Sequence, residues 1–140
     1  MSVLEIDGYG FRRKLCTSVS CWFLNKFLSR YKINVKITHR SLKKDHVYGY
    51  CDYVGTSYRP RNFLIELDTY MNEELYIKTL LHEFTHLRQW VTGSLKVHQG
   101  KMQYNKQLIE DIEYFSQPHE IEAREQEEVL YQEYIIENKN

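Results

Sequence analysis

The sequence predicts an α+β fold: one helix, three short strands, then two further helices, the first of which carries a pair of histidines. Three observations lead there. Apolar residues recur at steps of three and four over residues 15–31, they alternate with polar residues in three later runs, and a capped helical pattern opens at Asn72.

Leu15, Val19, Trp22, Phe23, Phe27 and Tyr31 form one helical stripe. A stripe of this kind is core rather than a ligand set. In residues 33–38, Ile33, Val35 and Ile37 alternate with Asn34, Lys36 and Thr38, the pattern of a half-buried strand. Residues 46–54 are rich in Tyr and Val, which suit a second strand. In the third, Phe63, Ile65 and Leu67 share a face, and turn signals at residues 43–45 and 55–60 separate the three.

Asn72 precedes Glu73 and Glu74, so a side-chain oxygen can cap the free N–H groups of a helix whose first turn carries two acids. Ile77, Leu80, Leu81, Phe84, Leu87 and Val91 supply its apolar face, and Gly93 is placed to end it. Residues 94–115 read as a loop with a short helical piece. Ser116-Gln117-Pro118 then offers a cap and a first-turn proline to an acidic helix running to about Glu137.

The 140 residues are expected to form a single domain, residues 1–140. No stretch approaches the roughly 18 apolar residues of a membrane span, and no basic start followed by an apolar run marks a secretory signal. Cys16, Cys21 and Cys51 are odd in number and lack a paired spacing, so free thiols in a reducing compartment are expected, with the cytoplasm as location. Twelve Lys/Arg stand against four Asp/Glu in residues 1–61, and two against ten in residues 110–140. The two ends are expected to compensate one another in the fold.

The chemistry concentrates in His82-Glu83-Phe84-Thr85-His86. Two histidines four apart on a helix project from one side, as zinc requires of imidazole ligands. Glu83 follows the first, where its carboxylate can take a proton from an attacking water and pass it to a leaving amine. A catalytic site of this type needs a third protein ligand, and His98, His119, Glu120 and Glu122 are the nearby candidates. Glu120 shares a stripe with Ala123, Glu127, Leu130 and Tyr134, whereas Glu122 points about 200° away at 100° per residue. Glu120 is therefore preferred, with Glu122 as the alternative. Gln89 and Arg88 are open to a supporting role or to plain solvent exposure. Tyr114, His119 and Tyr131 are open as transition-state hydrogen-bond donors, and His39, His46 and His98 read as surface or turn residues.

His82-Glu83-Phe84-Thr85-His86-Leu87-Arg88-Gln89, then Gly93, Tyr114 and Pro118-His119-Glu120-Ile121-Glu122-Ala123, resembles the small zinc metallopeptidase-like proteins common in bacteriophage genomes, relatives of the gluzincins. The resemblance covers about residues 75–125. It implies a minimal zincin-like arrangement: an N-terminal helix, a small three-stranded mixed sheet, the HExxH helix and a C-terminal ligand-bearing helix. It also implies one zinc ion (Zn2+) per chain on His82, His86 and Glu120, with Glu83 as the catalytic glutamate. His119 stands where such proteins often have an aromatic residue, and that departure leaves its role open between supporting donor and transition-state stabiliser.

The function so implied is a zinc-dependent metallopeptidase acting on a protein or peptide, in the host cytoplasm if the chain is phage-encoded. The alternative is a zinc-binding interaction protein on a peptidase fold, whose signature would be a lost Glu83. The strand over residues 61–68 is the natural edge on which to add an extended peptide. No membrane is expected as a partner. Nucleic acid is not expected either, because no zinc ribbon or recognisable DNA-binding module accompanies the basic first half.

Overall fold

The computed structural model describes residues 2–10 and 12–139, and within them the chain is α+β. It runs β1 (Val3–Gly8), α1 (Arg13–Phe27), β2 (Asn34–His39), β3 (Gly49–Tyr53), β4 (Asn62–Leu67), α2 (Glu73–Thr92), β5 (Leu95–His98), β6 (Lys101–Tyr104), β7 (Gln107–Leu108) and α3 (Pro118–Glu137).

The main sheet has the order β1-β2-β4-β3. β1, β2 and β4 are parallel, and β3 is antiparallel to β4. The sheet is therefore mixed, as expected, but four-stranded rather than three-stranded. The added strand is β1, where only Leu4 and Ile6 pack on the core while Val3 is 57% exposed. Two inward side chains at the start of a chain are a weak signal, and pairing with β2 supplies the rest.

The alternation read in the sequence is the one that builds the core. Val35 pairs with Phe63, Ile37 with Ile65 and His39 with Leu67, all buried on the face that meets the helices. The opposite face is polar, with Lys36 near Glu5 and Asp7. His39 is a correction: it is 1% exposed rather than a surface residue, with Nε2 2.7 Å from the Tyr76 hydroxyl and Nδ1 3.0 Å from the Asp7 carbonyl. Two hydrogen bonds let an imidazole occupy a β2 core position. His46 and His98 are exposed.

α1 ends at Phe27, earlier than the apolar stripe, although Leu28 is buried and Tyr31 still packs on the core. α2 begins and ends where the sequence places it. The Asn72 side chain accepts from the Leu75 N–H at 2.9 Å, and Gly93 has φ 87°, the left-handed turn that closes the helix. α1 packs on α2 through the Phe23 and Phe84 rings, 5.2 Å apart. The fully buried Ala123 lies on α3, which packs along α2.

Residues 94–115 differ from expectation. β5, β6 and β7 form a second, antiparallel sheet, and only Tyr114–Ser116 makes a short 3-10 turn. Two-residue turns join the strands, with φ 53° and 76° at Gln99-Gly100 and φ 49° and 70° at Asn105-Lys106. Positive φ at both central positions is the turn whose twist suits a hairpin. A second correction concerns the strand over residues 61–68. β4 lies inside the sheet between β2 and β3, and β3 is the edge strand beside α2.

The uneven charge is partly compensated within the fold. Lys26 of α1 pairs with Glu137 and, at 3.7 Å, with Glu133, both on α3. Trp22 Nε1 donates to Glu137 at 2.9 Å, which ties the same two helices further.

Candidate metal centre

α2 is wound so that His82, Glu83 and His86 all turn toward the start of α3 and the edge strand β3. Pro118 fixes the first turn of α3, as read from the sequence, but neither Ser116 nor Gln117 caps it with a side chain. Gln117 Nε2 donates instead to the Ile109 and Ile112 carbonyls, which ties the helix start to the preceding loop. Glu120 therefore sits in the first turn, where the positive helix end favours a carboxylate.

Glu120 stands between the two histidines. Its Oε1 is 3.2 Å from His82 Nε2 and its Oε2 is 3.1 Å from His86 Nε2. The ligand atoms of His82, His86 and Glu120 all lie within 4.8 Å of one another, a group that could hold a metal ion. Glu122 is turned away and accepts from Gln89 Nε2 at 2.7 Å.

The hydrogen bonds behind the histidines test whether a cation fits. Gln89 Nε2 donates to the His119 carbonyl at 3.0 Å and to Glu122, so its Oε1 is left to accept from His86 Nδ1 at 2.8 Å. His82 Nδ1 likewise faces Glu127 at 3.0 Å. With both Nδ1 atoms donating, both Nε2 atoms direct either a proton or a lone pair at the Glu120 carboxylate. Lone pairs facing a carboxylate repel, so the arrangement calls for positive charge: two extra protons, or one cation shared by all three groups. The two imidazoles and the carboxylate could therefore hold a metal ion.

The electrostatics of the protein groups alone agree with this need. Burial opposes charging of His82, yet the Glu120 and Glu127 carboxylates outweigh it and push the imidazole up to about 10. Burial would raise Glu120, but its hydrogen bonds to His82 and His86 hold it well below the usual carboxylate range. Glu83 makes the opposite balance: burial lifts it to about 7 despite the histidines nearby. It is 6% exposed, on the recess that also holds His82 and Glu120.

Gly49 of β3 lies against Glu83. A Cβ there would sit 3.2 Å from Glu83 Cγ and 3.1 Å from both Thr79 Cγ2 and the Glu66 carbonyl, so glycine permits the close approach of the edge strand to the helix.

Of the residues left open by sequence, Gln89 is buried and holds His86, whereas Arg88 is exposed with its guanidinium 4.6 Å from the Phe27 ring centre. Tyr114 lines the recess with Glu83 and Glu120, and burial together with those carboxylates raises its hydroxyl to about 12. His119 is buried with Nε2 3.8 Å from Glu120, and its Nδ1 has no hydrogen-bond partner among the described residues. Glu127 is the residue sequence reasoning placed on the right stripe without a task. Its spacing of seven from Glu120, two helical turns along one face, was the available signal.

Comparison with protein-family models, with curated proteins and with solved structures finds no match. No helix among the described residues is long and apolar enough to cross a membrane.

Proposed function

We propose that this protein is a zinc-dependent metallopeptidase of minimal zincin type, related to the small gluzincin-like proteins its sequence resembles. One observation carries the reading: a buried Glu83 shares a recess with His82 and Glu120, beside the edge strand β3.

His82, His86 and Glu120 would hold the zinc, and Glu127 and Gln89 would fix the imidazole rings. When bound, the ion supplies a Lewis acid that makes water acidic and polarises a carbonyl. Glu83 accepts the proton of the attacking water at its carboxylate and delivers it to the departing amine nitrogen. Burial makes this carboxylate more basic than an exposed one, which favours its taking the proton. The substrate lies extended along β3, held by main-chain hydrogen bonds. Tyr114 lines the same recess, and its hydroxyl, which also meets Glu120, would donate to the developing oxyanion.

The test is hydrolysis of unfolded, dye-labelled casein by zinc-loaded protein. Wild type should release peptides, a chelator should stop release, and Glu83→Gln should stop it while retaining zinc. Release that survives Glu83→Gln, or its absence from protein holding one zinc per chain, would overturn the proposal.

A further inference from the structure

The His82–His86–Glu120 cluster lies midway along a groove, with a recess on either side. On one side Val47, Tyr48, Tyr114 and Phe115 surround a space of about 400 Å³ that reaches down to His82 and Glu83. On the other, Cys51, Tyr53, Trp90, Leu95 and Met102 bound about 570 Å³ beside His86 and His119. Glu120 borders both.

The pairing of β3 decides which backbone groups face this groove. Tyr48 O accepts from Asp68 N, and Val54 N donates to Asn62 O, each at 2.8 Å. Tyr48, Tyr50, Asp52 and Val54 thus direct their N–H and C=O toward β4. Alternation turns those of Gly49, Cys51 and Tyr53 to the outer edge, where no further strand pairs among the described residues. An extended chain laid there gains a ladder of hydrogen bonds, and its side chains fall alternately toward and away from the recesses.

The walls are largely apolar, with Arg124 at one recess and Asp52 at the other. Tyr48, Tyr114 and Phe115 are 54%, 56% and 67% exposed, an uncovered aromatic rim. Arg124, at the same recess, donates to the Phe115 carbonyl and lies 5.5 Å from its ring centre. Glu127 is occupied by His82. Across the cluster the Tyr53 and Trp90 rings meet edge-on at 4.8 Å. Asp52 also borders the second recess, but alternation with Cys51 and Tyr53 turns its side chain to the far face of the sheet.

We propose that the substrate is an unfolded protein segment with a bulky apolar or aromatic side chain on each side of the bond cleaved, one seated against Phe115 and the other against Met102. This rests on the peptidase reading above and adds to it a substrate class. A folded protein has spent its strand hydrogen bonds and buried such side chains, so its native surface is a poor occupant of the groove.

Two measurements separate this inference from the reading beneath it. The first maps cleavage sites in denatured casein for wild type, Phe115→Ser and Met102→Ser. Large apolar residues should bracket the sites, and each variant should relax the preference on one side only, the two on opposite sides, by at least about tenfold. Glu83-dependent cleavage with charged or small residues at both positions would overturn the inference and leave the peptidase standing.

The second needs no turnover. A fluorescein-labelled eight-residue Ser/Thr peptide carrying two Phe residues at the bracketing positions is titrated with zinc-loaded Glu83→Gln. It should bind at least about tenfold more tightly than the peptide with both Phe replaced by Ser, and main-chain N-methylation should weaken it. Equal binding of the two peptides would overturn the inference even if no cleavage is ever seen. So would a stable dimer in sedimentation that Cys51→Pro, which removes an outward N–H of β3, dissolves, since a second copy would then be the occupant of β3.

Discussion

His86 Nδ1 lies 2.8 Å from Gln89 Oε1, one turn further along the same helix, and the Gln89 amide is itself held by the His119 carbonyl and Glu122. This chain of bonds sets the tautomer that aims His86 Nε2 at Glu120. Gln89→Leu keeps a buried side chain of similar length but removes the acceptor. Metal affinity should fall by about 10–100-fold, read by competition with a chromogenic chelator. Wild-type affinity in the variant would show that the ring is oriented by other means.

The two candidate glutamates separate cleanly. His86→Ala and Glu120→Ala should each lose bound metal in elemental analysis, because each removes an atom from the clustered set. Glu122→Ala should retain close to one ion per chain, since Glu122 meets Gln89 rather than the cluster. Loss of metal with Glu122→Ala and retention with Glu120→Ala would reverse the assignment.

Glu83→Gln should retain metal and lower kcat by at least about 100-fold, with a smaller effect on KM, because the amide occupies the same space but cannot accept a proton. Comparable falls in kcat and in metal content would assign Glu83 to holding the ion instead.

Gly49→Ala tests the approach of β3 to α2. The added methyl meets the Glu66 carbonyl, Thr79 and Glu83 together, and backbone on one side leaves little room to yield. Stability should fall by about 1–3 kcal/mol. Metal content should be retained, and kcat should drop as Glu83 is displaced. A variant with unchanged kcat would show that Glu83 does not depend on this contact.

His39 gives a pH dependence outside the His82–His86–Glu120 cluster. Burial lowers its pKa despite the Asp7 carbonyl, so the folded state favours the neutral ring while the unfolded chain takes up a proton near pH 6.5. The unfolded state then binds more protons as pH falls, and the folded state loses stability below about pH 6.5. Urea unfolding of wild type and His39→Gln, followed from pH 8 to 5, should show a smaller loss on acidification in the variant. Equal slopes would place the acid sensitivity elsewhere.

The legible parts of this protein were local. Asn72 and Gly93 bound α2 because a cap needs only its own turn, and the four-residue spacing of His82 and His86 guarantees a shared side on any helix. Glu120 was preferred over Glu122 because it shares a stripe with Ala123, Leu130 and Tyr134, all of which are buried in α3, the helix packed on α2. The alternation in residues 33–38 and 63–67 likewise reports which face is buried, whatever the neighbours.

What the tertiary structure decided was non-local. An alternating strand reads the same at an edge or in a centre, so the sequence could not tell that β3 rather than β4 borders the groove, nor that β1 joins β2. The hairpins of residues 95–108 depend on left-handed turns at Gln99-Gly100 and Asn105-Lys106, of which only Gly100 and Asn105 are strong signals. Gln89 and Glu127 look like solvated polar residues until α2 and α3 are brought together. Their tasks come from the azimuth of one helix against another, a quantity that periodicity within either helix leaves undetermined.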